Sequence, residues 1–174
     1  MIRPIVLYPD PRLKLKSKPV SLFDEKLGVL ASDMVETMRD AFGVGLAAIQ
    51  VGEPIRMMVM DRHYDREEKG EALVLCNPEI LKTEGSETLE EGCLSLPDVR
   101  EEVERAFKVQ VKGQDVKGKE LTLEFEGMLA RCVLHEIDHM NGQLFIQKVP
   151  AVKRIFLQKK LGELKKNYET AVRL

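Results

Sequence analysis

The chain has 174 residues, 44% hydrophobic and 32% charged, with a formal net charge of −2. That length suits one domain, residues 1–174, with a real core and would cramp two, and the composition fits a soluble globular protein. Cys76, Cys93 and Cys132 are an odd number without a Cys-x-x-Cys pair, the N-terminus lacks an apolar leader, and no apolar run approaches membrane-spanning length. A cytoplasmic protein in a reducing compartment, without disulfides or a membrane segment, is expected.

Residues 1–20 hold Pro4, Pro9, Pro11 and Pro19 and are expected to form an extended arm over the domain. Ser21 or Asp24 can cap a helix running to about Ala41, with Leu27, Leu30, Met34, Val35 and Met38 at helical spacing. The small residues of 43–52 let another backbone come close. Residues 55–60 and 72–76 read as buried strands around a charged loop, 61–71, with Asn77-Pro78 ending the second. A further strand over 80–89 is interrupted at Gly85, and a loop follows over 91–97. Alternation returns in 99–105, 107–111 and 121–125. Pro150 opens a basic C-terminal helix, residues 150–174, that is regular to about Tyr168 and has a thin apolar stripe. The expected class is α+β, with mixed or antiparallel β-sheets wrapped around a central helix, an N-terminal helix and a C-terminal helix.

The central helix spans 127–142 and carries His135, Glu136 and His139 as His-Glu-x-x-His, two of the chain's three histidines. Residues four apart on an α-helix differ by about 40° around the axis and roughly 6 Å along it, so both imidazoles can meet one ion. Glu136 can reach a water on that ion without being a ligand. Two solvent-facing histidines would be the bland alternative, but apolar residues on more than one side mark this helix as buried, where an unpaired polar cluster is costly.

A third protein ligand is needed, and His63, the cysteines and a downstream carboxylate such as Glu163 are candidates. Cys132 shares the helical face but lies seven residues from His139, roughly 10 Å along the axis, which suits a wall better than a ligand. Cys93 has polar neighbours, Glu91 and Ser95, in a Gly-containing loop that can aim a thiolate at the helix. Taken alone, a cysteine reads first as a small buried hydrophobe.

Residues 43–50 (Gly-Val-Gly-Leu-Ala-Ala-Ile-Gln), 91–95 (Glu-Gly-Cys-Leu-Ser) and 135–139 (His-Glu-Ile-Asp-His) resemble, in order and spacing, the three signature motifs of peptide deformylases. His-Glu-x-x-His alone is shared by many metallohydrolases, whereas the three motifs together are highly specific and span nearly the whole chain. The resemblance implies hydrolysis of the N-formyl group on the initiator methionine of nascent polypeptides. One divalent ion is implied on Cys93, His135 and His139, with water as fourth ligand and Glu136 as the proton carrier. Two imidazoles and a thiolate suit Zn²⁺ by ligand preference, while the resemblance implies Fe²⁺ in the cell, with Ni²⁺ and Co²⁺ as further candidates.

The resemblance also implies that the Gln50 side chain and the Leu94 backbone N–H stabilise the oxyanion. Val44, Leu89, Met128 and Cys132 would line a methionine pocket, though each also reads as ordinary core. Gly45 would offer a main-chain contact and Arg100 would touch the peptide. Leu134, Met140 and Arg131 depart from the common pattern. Altered support around the site is expected from the first two, and Arg131 leaves the pocket rim open.

From Lys148 onward, eight basic residues face Glu163 and Glu169, a balance of +6 that leaves −8 for residues 1–147. Such a helix is most often a solvated face, and the resemblance implies that it docks on the ribosome. A monomer is expected. Two other readings compete: an endopeptidase using Glu163 as third ligand, and a ribosome-binding module with a structural metal.

Overall fold

The computed structural model describes residues 1–63 and 70–172, so residues 64–69 of the expected charged loop and Arg173 of the basic tail lie outside the described residues. Helix α1 (Glu25–Asp40) starts at Asp24, whose side chain accepts the Leu27 N–H at 3.0 Å. It buries Leu27, Leu30, Met34 and Met38 against Leu46, Met57, Val59 and Cys76. Strands β1 (Gly45–Ala47), β2 (Met57–Met60), β3 (Leu73–Glu84), β6 (Lys108–Gln114) and β7 (Glu120–Glu126) form one sheet in the order β1-β2-β3-β6-β7. Strands β4 (Glu87–Cys93) and β5 (Leu96–Arg105) form a second sheet. Every strand pair is antiparallel, which narrows the expected mixed or antiparallel arrangement.

Helix α2 (Gly127–Met140) is the expected central helix. Its apolar residues Ala130, Val133, Ile137 and Met140 pack with Met58, Met60, Leu75, Val109 and Val111 of the larger sheet. A separate cluster, including Val6, Leu13, Val99, Val103, Phe145 and Leu157, ties together the N-terminal arm, β5 and helix α3 (Ala151–Val172). The arm is pinned by backbone hydrogen bonds from Val6 N–H to the Gln50 carbonyl, 2.7 Å, and from Tyr8 N–H to the Ser95 carbonyl, 2.8 Å. It thus touches both segments that flank the candidate site.

Two segments differ from expectation. Asn77-Pro78 does not end a strand, because β3 runs on to Glu84 through a register shift between Cys76 and Glu79. A bulge accommodates the missing proline donor, and the Asn77 side chain replaces ladder bonds by accepting from Val20 N–H at 2.8 Å and donating to the Val20 carbonyl at 2.9 Å. Residues 91–97 are no open loop: β4 continues to Cys93, β5 begins at Leu96, and these two residues pair across a tight turn. Cys93 is therefore held at a strand end. No described helix is long and apolar enough to cross a membrane.

Candidate metal centre

Helix α2 presents His135 and His139 on its buried side, one turn apart, with their Nε2 atoms 3.2 Å from each other. The β4–β5 turn brings Cys93 Sγ to 3.2 Å from His139 Nε2. These three form a group whose ligand atoms all lie within 4.8 Å of one another, and neither His63 nor Glu163, both exposed, is part of it. Lone pairs facing one another at such distances repel unless a proton or a metal ion lies between them. Burial holds the His139 imidazole well below its ordinary pKa, which keeps it neutral and able to ligate. The donor set of two imidazoles and one thiol fits a divalent transition ion with a position left open.

The His135 ring is oriented from behind. Its Nδ1 lies 3.0 Å from Glu91 Oε2, a pairing that makes Nδ1 the donor and leaves Nε2 for the metal side. Glu91 is gripped in turn by Arg105, through Nε at 2.7 Å and Nη2 at 3.0 Å, and by Arg131 Nη1 at 2.8 Å. Arg105 also donates to Asp138 of α2. Burial opposes the charge of Glu91, yet the hydrogen bonds from His135 and Arg105 prevail and hold its carboxyl down at about 2. Arg131 thus belongs to the buried support, not to the rim: its side chain is 3% exposed and also donates to the carbonyls of Val103 and Glu87, both at 2.8 Å. Leu134 and Met140 pack into the cluster between α2 and the larger sheet.

Glu136 is buried beside the cage, its Oε2 has no hydrogen-bond partner among the described residues, and burial pushes its carboxyl up to about 7. Gln50 sits in a short 3₁₀ turn, Ala48–Val51, just after β1. Its Oε1 accepts the Ala47 N–H at 2.9 Å, which directs Nε2 toward Ser95 Oγ, 3.1 Å, and Cys93 Sγ, 3.6 Å. The alternative of a surface amide is removed, since Gln50 is 2% exposed. A cleft of about 530 Å³ opens over these groups and is lined by Val44, Gly45, Gln50, Cys93, Leu94, Arg100, Met128, Arg131, Cys132, His135 and Glu136 among others. Leu89 lies on β4 directly before the lining residues Glu90 and Glu91. Burial raises the Cys132 thiol well above its ordinary pKa, so it serves as wall.

The sequence profile of the family described as Polypeptide deformylase matches residues 2–155. The chain belongs to the polypeptide deformylase family. Peptide deformylase of Brucella suis biovar 1 is 48% identical over 164 residues, 94% of this chain and 93% of its own length. The crystal structure of a peptide deformylase from Legionella pneumophila superposes with a TM-score of 0.88 at 46% identity, covering 97% of this chain and 98% of that one. The peptide deformylase of Thermus thermophilus gives a TM-score of 0.89 at 44% identity, covering 96% and 99%. The chain is accordingly an enzyme of a metal-dependent family, and neither the endopeptidase nor the binding-module alternative is favoured.

The deformylase architecture gives Gly45 a specific steric task. A Cβ there would lie 2.4 Å from Cys132 Sγ and 2.8 Å from Glu136 Oε1. Gly45→Ala is expected to push the carboxylate aside and lower turnover by about 10²-fold, the cost of a misplacement near 1 Å. Steady-state kinetics beside a thermal melt will check this, the loss residing in kcat/KM with a folded protein.

Proposed function

We propose that the chain hydrolyses the N-formyl group of the initiator formyl-methionine of nascent polypeptides, releasing formate and a free amino terminus. The observation that carries this reading is the meeting of the Gln50 amide and the Glu136 carboxyl at one three-ligand cage inside one cleft. Cys93, His135 and His139 would hold one divalent ion, Fe²⁺ in the cell, with Zn²⁺, Ni²⁺ or Co²⁺ suited to the same donors. When bound, that ion supplies Lewis acidity, which lowers the pKa of water enough to provide a nucleophile near neutral pH.

The protein's own groups do the rest. Glu136 takes the proton as the water oxygen adds to the formyl carbon, and passes it to the amine nitrogen as the C–N bond breaks. The Gln50 Nε2–H and the Leu94 backbone N–H donate to the developing oxyanion. Val44, Leu89, Met128 and Cys132 offer an apolar, deformable surface for the methionine thioether.

The peptide backbone has a free edge to use. β1 is the terminal strand of its sheet, and the Val44 carbonyl accepts the Asp61 N–H at 2.9 Å on the β2 side. Strand alternation turns the N–H and C=O of Gly45 to the other side, where an extended substrate can pair without its sequence being read. Arg100, exposed at the cleft edge, stands ready to contact that peptide.

The free thiols suit the cytoplasm, and one chain completes cage and cleft, which suits a monomer. The exposed Arg154, Lys159, Lys160, Lys165 and Lys166 of α3 would draw the enzyme to ribosomal RNA. Gln50→Ala tests the reading: formate release from formyl-Met-Ala-Ser is expected to fall by about 10²–10³ in kcat, the range for one lost oxyanion donor. An unchanged kcat would remove Gln50 from the chemistry.

A further inference from the structure

Phe42 sits between α1 and β1 in a conformation that suits it badly. Its φ is +56°, the left-handed region that glycine enters freely and a bulky residue resists. The Phe42 N–H donates to the Arg39 carbonyl at 3.1 Å and the Gly43 N–H to the Met38 carbonyl at 2.8 Å, the paired bonds of a helix stop usually built on glycine. The phenyl ring is 97% exposed, so folding gains almost no burial in return. A glycine would make the same stop with less strain and less apolar surface in water. Helix termination and packing therefore do not explain this side chain.

Its position does. Phe42 lines the cleft, next to Gly43, Val44 and Gly45 on one wall, with Pro97 and Arg100 of β5 also in the lining. A substrate paired along the free edge of β1, with its methionine beside Gly45 and its formyl group near Gln50, runs antiparallel to β1 and so heads back toward Phe42. The strand rise of about 3.3 Å per residue carries the third substrate residue past the start of β1 at Gly45, toward the turn that holds Phe42, and the two-residue alternation returns its side chain to the face used by the methionine.

We propose that Phe42 is a specificity-determining contact that takes the side chain of the third residue of the formylated chain and favours apolar and aromatic residues there over charged ones. The inference rests on the reading of the cleft as the formyl-methionine site. It makes deformylation selective among nascent chains although the main-chain pairing is not.

The test compares kcat/KM for formyl-Met-Ala-Phe and formyl-Met-Ala-Glu, with formyl-Met-Phe-Ala and formyl-Met-Glu-Ala as the position control. The metal-loaded wild type, Phe42→Ala and Phe42→Gly are measured side by side. The wild type is expected to prefer phenylalanine over glutamate at the third position by about 3- to 10-fold, the size of one aromatic contact. Both variants are expected to bring that ratio near one, mainly through KM. Phe42→Gly is also expected to raise the melting temperature by about 2–4 °C as the backbone strain is relieved. Formate release with an unchanged ratio in both variants, selectivity confined to the second position, or a lower melting temperature in Phe42→Gly would each overturn the inference alone. Absence of formate from every peptide would overturn the reading of the cleft and the inference with it.

Discussion

Glu136→Ala is expected to lower formate release from a formyl-methionyl peptide by about 10²–10⁴-fold, the usual range for a lost general acid–base, while the protein keeps its fold and its metal. The carboxyl is buried next to two of the candidate ligands, yet it is outside that group, and its Oε2 has no partner among the described residues. An unsatisfied buried oxygen is a cost to stability. Its removal should therefore leave the melting temperature unchanged or higher, an outcome that separates a functional carboxyl from a structural one. Elemental analysis should still find the ion, because Cys93, His135 and His139 are untouched. Retained turnover in a folded, metal-loaded Glu136→Ala protein would exclude it as the proton carrier.

Arg105→Met is expected to destabilise the protein by about 3–5 kcal/mol, the range for removing one partner of a buried ion pair. The side chains of Arg105 and Glu91 are each 4% exposed, so Glu91 and Asp138 would each lose one counter-charge away from water, and Asp138 would be left with Lys148 Nζ at 3.4 Å. Arg131 would keep a single hydrogen bond to Glu91 Oε1, while the Oε2 that faces His135 would lose its guanidinium partner. Weakened support of a ligating histidine typically lowers metal affinity by about 10–100-fold. Urea unfolding and a competitive chelator titration read the two effects separately. Loss of stability with full metal affinity would show that the network holds the fold but not the ligand.

The α2 helix and its two histidines were legible because helical spacing and ligand spacing coincide there. Asp24 as the cap of α1 was legible for a similar local reason. Cys93 was not decided by its own neighbours, since a turn that joins two strands brings it to His139 of α2 from 46 residues away in sequence; the motif resemblance supplied it. Arg105 was missed, although a signal existed: on β5 it shares the parity of Val99 and Val103, both buried, and a charged residue on that face needs a partner inside. Glu91 and Arg131 complete that partner set from other elements, which no local pattern reveals. Phe42 was missed because Gly43, the next residue, looks like the natural helix stop, whereas the structure puts the left-handed turn one residue earlier. Asn77-Pro78 misled for a related reason, since a bulge can carry a strand past a proline when a side chain replaces the lost bonds.

A one-metal deformylase would carry its ion on Cys93, His135 and His139. The most direct test is formate release from a formyl-Met peptide by anaerobically prepared protein, with its metal counted. One divalent ion per chain and one formate per free amino terminus produced are expected. A full complement of metal without formate, under both Fe²⁺ and Zn²⁺ loading, would contradict it.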